Sequence, residues 1–246
     1  LTPALALMVA VTMVASAIIL SPFDSQPNAA QTGIGAMLIV ANFVISRTTG
    51  GYFDAAAETN PLLNTWSLSV EEQFYLVFPA VMALGWYLAR RDARFRKAPL
   101  LLIGGIAAIS FGFTLAGSFG WTFPGAILGF YSPFTRAWEF AAGALLALAL
   151  AKATPPVSPR FMSVVGATGI GMLAASLWLI TETTIFPGPW TLLPVTGTLL
   201  LLFSGTCENP VNRTLGARPM VRIGDYSYSI YLWHWPFIAF GVMLFP

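Results

Sequence analysis

The sequence predicts an all-α fold, a polytopic transmembrane helix bundle of seven or eight spans, and three observations predict it. Of the 246 residues 57% are hydrophobic and only 9% charged, with a mean hydropathy of +0.74, whereas a soluble domain carries about 25% charged residues. Eight apolar stretches approach the ~20 residues that cross a bilayer. Ten of the 12 Lys and Arg fall in alternate loops between them, as expected where basic loops stay cytoplasmic. With 12 basic and 10 acidic residues the chain cannot coat a soluble globule of this size. That excludes a disordered chain, a nucleic-acid-binding domain and most cytosolic enzymes.

The first stretch, residues 3 to 20, ends at Ser21-Pro22. Ala15-Ser16-Ala17 resembles a signal-peptidase site, but no basic region precedes the apolar run, so a helix that stays is expected. Residues 30 to 46 form the weak stretch, with Gly33, Gly35, Asn42 and Ser46 in or beside it, and the preceding loop 21 to 29 has no Lys or Arg to hold it inside. A re-entrant segment is preferred there to a full crossing, since irregular backbone is tolerated at membrane depth where protein buries it. Further stretches run over 68 to 88, 99 to 117, 133 to 151, 162 to 180, 189 to 205 and 224 to 244. Asn60-Pro61, Ala98-Pro99, Pro124-Gly125, Pro155-Pro156, Pro187-Gly188-Pro189 and Asn209-Pro210 punctuate them as helix ends require.

Orientation follows from charge. Arg90, Arg91, Arg94, Arg96 and Lys97 follow the third stretch, Lys152 and Arg160 the fifth, and Arg213, Arg218 and Arg222 the seventh. Loops 118 to 132 and 181 to 188 have no basic residue and 47 to 65 has only Arg47; these face outward, which predicts a multi-pass membrane protein.

Polar groups inside a span are costly, so they mark candidate functional sites. In Asn64-Thr65-Trp66-Ser67-Leu68-Ser69-Val70-Glu71-Glu72-Gln73-Phe74-Tyr75 two carboxylates enter the outer end of the third stretch. Ser69 and Glu72 have capping-box spacing, and Trp66 and Tyr75 suit an interfacial belt. Glu71, about 100° away around the helix, is left without a partner and is a candidate for proton transfer or for orienting a histidine. Arg136 enters the fifth stretch with Glu139 one turn on: either a snorkelling ion pair or an anion clamp. In the final stretch Tyr228, Tyr231 and His234 recur at spacing three and could hydrogen-bond in sequence, while Pro236 frees a backbone carbonyl. The ordinary alternative for His234 is a neutral imidazole bonded to a neighbouring helix.

Weaker signals are read as structural. Gly169-x-Gly171-x-x-Ala174 matches a dinucleotide fingerprint only superficially, since no strand precedes it. Ala167-xxx-Gly171 and Gly143-xxx-Ala147 are small-residue helix-packing faces. Asn212-Arg213-Thr214 matches a glycosylation acceptor but lies in a loop expected inside. One cysteine, Cys207, and one histidine exclude a disulfide framework and a zinc site built on several imidazoles, and no metal is expected.

At Asn60-Pro-Leu-Leu-Asn-Thr-Trp-Ser-Leu-Ser-Val-Glu-Glu-Gln-Phe-Tyr-Leu-Val-Phe-Pro79 the sequence strongly resembles acyltransferase family 3, integral-membrane acylases that O-acetylate lipopolysaccharide, peptidoglycan and other glycans. Ser132 to Gly143 resembles the family's Arg-bearing helix start, Phe186 to Gly197 the segment before its last helices, and Ile223 to Pro236 its closing SYxxYLxHxP helix. The resemblance implies one membrane acyltransferase domain over residues 1 to 246, lacking two helices that open the family, the first with an Arg and the His thought to be catalytic, and followed in some members by an extracytoplasmic domain. Many relatives carry His where this chain has Asn64, so a proton-transfer role is not carried over to that position.

The implied function is transfer of an acetyl or other acyl group from cytoplasmic acyl-CoA to a hydroxyl of a cell-envelope glycan or lipid-linked saccharide. Glu71 would orient and charge-stabilise a histidine base, with His234 as the second catalytic candidate. Arg136, Trp66, Ser67 and Tyr228 are the substrate-binding candidates, and Arg90 to Lys97 could attract CoA phosphates. Two other functions fit a polar-lined helix bundle: a proton-coupled transporter or flippase using Glu71 and His234, and an inactive scaffold portion of an acyltransferase. No obvious internal repeat favours the transporter.

Overall fold

The computed structural model describes residues 2–49, 57, 59–121, 127–151, 157–181 and 183–245. The expected helix breaks at Pro124-Gly125 and Pro155-Pro156, and Lys152, lie outside the described residues. Among those described, the regular structure is helical and no strand occurs. The α-helices with defined bounds are, in order, α1 Thr2–Ile19, α2 Ser25–Met37, α3 Ala41–Thr48, α4 Thr65–Arg91, α5 Ala98–Ser118, α6 Pro133–Leu150, α7 Pro159–Leu179, α8 Leu192–Ser204, α9 Pro210–Leu215 and α10 Arg218–Leu244.

Among the described residues three helices, α1, α5 and α7, are long and apolar enough to cross a membrane. With 18 to 21 residues each they rise about 27 to 32 Å, the thickness of a hydrocarbon core. α4 and α10, of 27 residues, reach about 40 Å but are charged near an end. The expected segment 30 to 46 is not one helix. It is α2 and α3, of 13 and 8 residues, too short at about 20 and 12 Å to cross. The break falls at Ile39, whose φ of 63° is left-handed, a conformation a β-branched residue adopts only when its surroundings enforce it.

The chain forms two compact units. One contains residues 1–75, 129–133 and 223–246, the other 76–128 and 134–222. In the first, Met8, Ile45, Leu62, Leu63 and Leu232 form the centre of a core that also takes in Tyr131. α2 and α3 fold tightly because Gly35 has no side chain: a Cβ there would meet Val44 at 2.9 Å and the Ala41 backbone at 3.1 Å.

In the second unit α7 and α8 cross at two glycines. A Cβ on Gly169 would lie 2.7 Å from the carbonyl oxygen of Gly197, and one on Gly197 would lie 2.9 Å from that of Gly169. The expected small-residue faces are therefore displaced, because Gly171 and Gly143 look onto open space. Asn212, the glycosylation-like residue, donates to the carbonyls of Ser204 at 2.9 Å and Cys207 at 2.8 Å; its side chain secures the turn between α8 and α9. Arg90, Arg91, Arg94, Arg96 and Lys97 are all exposed around the short turn after α4.

Candidate active site

In the first unit the polar residues of α4 meet the middle of α10. Asn60 begins the turn ahead of α4, its side-chain oxygen accepting from the Leu62 N–H at 3.0 Å. α4 then starts at Thr65, well before the Val70 start that a capping box at Ser69 requires. Ser69 is thus one turn inside the helix, where its hydroxyl accepts from the Ala41 N–H at 3.2 Å. The capping-box expectation fails because the Asn60-Pro61 turn has already initiated the helix.

Pro236 sits inside α10 and has no N–H to give the carbonyl four residues back, that of Leu232. Asn64 fills this gap. Its amide nitrogen lies 2.8 Å from the Tyr231 carbonyl and 3.4 Å from that of Leu232. Tyr231 returns the bond, its hydroxyl donating to the Asn64 carbonyl at 2.9 Å, and it also shares a short hydrogen bond with the hydroxyl of Ser67. Trp235 adds a bond from its indole N–H to the Asn60 carbonyl at 2.8 Å. Trp66 packs edge-on against Phe130 and Tyr131, with ring centroids 5.0 and 5.5 Å apart.

His234 points its Nδ1 at the carbonyl of Tyr231, 2.8 Å away. A carbonyl can only accept, so Nδ1 is the donor in this contact. This differs from the expected bond to a neighbouring helix: His234 bonds its own. The Tyr231 hydroxyl turns to α4, where it bonds the Asn64 carbonyl and Ser67. Glu71, for which the sequence offered no partner, accepts from the Tyr75 hydroxyl at 2.5 Å. Tyr75 is therefore a carboxylate partner as well as an aromatic at a helix surface. Tyr228 packs against the core and lies within electrostatic reach of Glu72 and Glu71.

A second polar knot holds the break between α2 and α3. Gln73 donates to the Ile39 carbonyl at 2.7 Å and to the Asn42 side-chain oxygen at 2.9 Å, and Asn42 donates to the Tyr131 carbonyl at 3.1 Å. These bonds hold the left-handed backbone of Ile39 in place.

In the second unit Arg136 is 8% exposed, so it does not snorkel. It pairs with Glu139 at 3.1 Å and lies over the ring of Phe186, 4.8 Å from its centroid. The pair borders a cavity of about 450 Å³ lined also by Phe140, Thr191, Thr198 and Leu202. The helix turn bearing Arg136 is gripped by a residue of α5. The Ser110 hydroxyl donates to the Phe134 carbonyl at 2.6 Å and accepts from the Trp138 N–H at 2.9 Å, standing between two groups that an uninterrupted helix would pair directly. Thr114 donates to the next carbonyl, Thr135, at 2.7 Å.

The structure thus brings Trp66, Ser67, Glu71, Tyr228 and His234 into one unit and places Arg136 with its cavity in the other. Sequence reasoning missed Asn64, Gln73 and Ser110 as organisers. The presence of Pro236 was the one signal available for Asn64, since a freed carbonyl demands a donor.

Comparison with known proteins agrees with this picture. The family model described as Acyltransferase domain matches residues 4–246. The chain is 26% identical to the peptidoglycan O-acetyltransferase OatA of Listeria monocytogenes, over 97% of this chain and 38% of that protein. It is also 26% identical to the O-acetyltransferase OatA of Staphylococcus aureus, over 84% of this chain and 34% of that one. The chain therefore spans well under half the length of these relatives. No solved structure matches it. With the family model covering nearly every residue, including both polar clusters, the chain belongs to the acyltransferase 3 family of membrane proteins.

Proposed function

We propose that this chain is the membrane domain of an O-acyltransferase that moves an acetyl or other acyl group from acyl-CoA at the cytoplasmic face to a hydroxyl of a cell-envelope glycan. The observation that carries it is the family match over residues 4–246. The named activity of the relatives favours a peptidoglycan acceptor over lipopolysaccharide. The protein sits in the bacterial inner membrane as a multi-pass bundle of seven crossings, with α2 and α3 as a re-entrant pair.

In the transfer, the glycan hydroxyl attacks the thioester carbonyl; a C–O bond forms, the C–S bond breaks, and the hydroxyl proton goes to a base while the thiolate leaves and is protonated. Nε2 of His234 is a proton-accepting group that the polar cluster offers, and Glu71 is the carboxylate suited to orient and charge-stabilise a histidine base. Trp66, Ser67 and Tyr228 offer an aromatic face and hydroxyls to a sugar. Arg136, buried beside a cavity with largely apolar walls, holds negative charge on the donor or on the carbonyl oxygen as it develops.

The experiment is complementation. An acylation-deficient strain receives the full-length gene, and base-labile acetate on purified glycan is measured beside protein abundance. Restored acetylation supports the proposal; none, with the protein present in the membrane, refutes it.

A further inference from the structure

We propose that Asn64 is a positioning residue: its side-chain amide replaces the backbone N–H that Pro236 lacks and thereby fixes His234 as the Nδ1–H tautomer, with Nε2 as the proton acceptor. Three observations converge. The amide nitrogen reaches both the Tyr231 carbonyl, at 2.8 Å, and the Leu232 carbonyl, at 3.4 Å. The second of these is the oxygen that a proline at position 236 leaves without its helical donor. The Tyr231 carbonyl is also the acceptor for Nδ1 of His234, at 2.8 Å.

The cost of this arrangement argues for a purpose. Asn64 is 6% exposed, and its own Oδ1 is buried with no hydrogen-bond partner among the described residues. An orphaned buried acceptor is costly, so packing alone would favour an apolar residue. The side chain cannot turn over to relieve it, because Oδ1 would then face two carbonyl oxygens. What Asn64 supplies is a pair of N–H donors where Pro236 lacks one. They hold the Tyr231 and Leu232 carbonyls in one orientation, and the Tyr231 carbonyl selects which imidazole nitrogen keeps the proton.

The bearing of this on acyl transfer rests on the function proposed above, but the tautomer does not, so the two can fail separately. His234 is the one histidine of the chain, and ¹⁵N-histidine labelling in lipid nanodiscs therefore reports it alone. At a pH where the ring is neutral, the wild-type chain is expected to show Nδ1 protonated and Nε2 bare. Asn64→Asp, which keeps the shape but removes both donors, is expected to lose that single tautomer and show a mixture. Tyr231→Phe, which cuts a tie between the same helices but leaves the carbonyl, is expected to keep it. If Asn64→Asp does not fold, Asn64→Leu combined with Pro236→Ala restores a backbone donor and is expected to recover the wild-type pattern. A wild-type proton on Nε2, an Asn64→Asp spectrum identical to wild type, or a double variant that fails to recover the pattern overturns the inference. Activity retained in His234→Ala, with the tautomer as expected, would sink the catalytic role and leave the positioning intact.

Discussion

Asn64 and Tyr231 are bonded to each other in both directions: the Asn64 amide donates to the Tyr231 carbonyl at 2.8 Å and the Tyr231 hydroxyl donates to the Asn64 carbonyl at 2.9 Å. The pair ties the first turn of α4 to the middle of α10 within one unit. Tyr231→Phe removes one direction and the bond with Ser67. Interhelical hydrogen bonds in membranes average about 0.6 kcal/mol, so a loss of roughly 1 kcal/mol is expected, read as a lower Tm in nanodiscs.

Glu71 bonded to Tyr75 offers a cleaner variant than alanine. Glu71→Gln keeps an acceptor for the Tyr75 hydroxyl, 2.5 Å away, but removes the charge. Acetate transfer to glycan is expected to fall on the order of a hundredfold, the scale of a lost proton-transfer partner, with protein abundance unchanged. Wild-type acetylation in Glu71→Gln or Glu71→Ala would show that the carboxylate has no part in the reaction.

Arg136 and Glu139 test charge against fold. Their side chains are 10% and 26% exposed, so Arg136→Ala strands a mostly buried carboxylate. A destabilisation of about 3 kcal/mol is expected, the lower end for a broken buried pair. Arg136→Ala with Glu139→Ala should recover much of the stability without recovering transfer. Arg136→Lys should keep a charge but not the planar contact with Phe186. Thermal melts and acetate release on the same preparations separate the two effects; transfer at wild-type level in the double variant would remove Arg136 from the site.

The α7–α8 crossing gives a purely structural prediction. Gly169→Ala places a methyl 2.7 Å from the Gly197 carbonyl, a backbone atom that cannot move aside, whereas Gly171→Ala meets nothing within 4 Å. The first should lower the Tm by several degrees, the second leave it unchanged; equal melts for the two would place the crossing elsewhere.

The sequence alone determined the solvent and most of the helices. Low charge and long apolar runs leave a chain no other environment, and Ala98-Pro99 and Asn209-Pro210 mark where α5 and α9 begin within a residue. It also singled out Glu71, Arg136 and His234, because a titratable group in an apolar stretch is visible without coordinates. Partners were not visible, since they depend on what other segments bring. Residue 64 lies more than 160 positions from the Tyr231 carbonyl to which it donates, and Ser110 reaches across to the turn that carries Arg136. The local spacings misled where they competed with such contacts. Ser69 had the position of a cap but serves Ala41, and the stretch 30 to 46 had the length of a span but is broken at Ile39 and held open by Gln73. Burial of apolar surface is decided by composition and period, which a sequence displays; the pairing of buried polar atoms is decided by distance and direction, which only the tertiary structure sets.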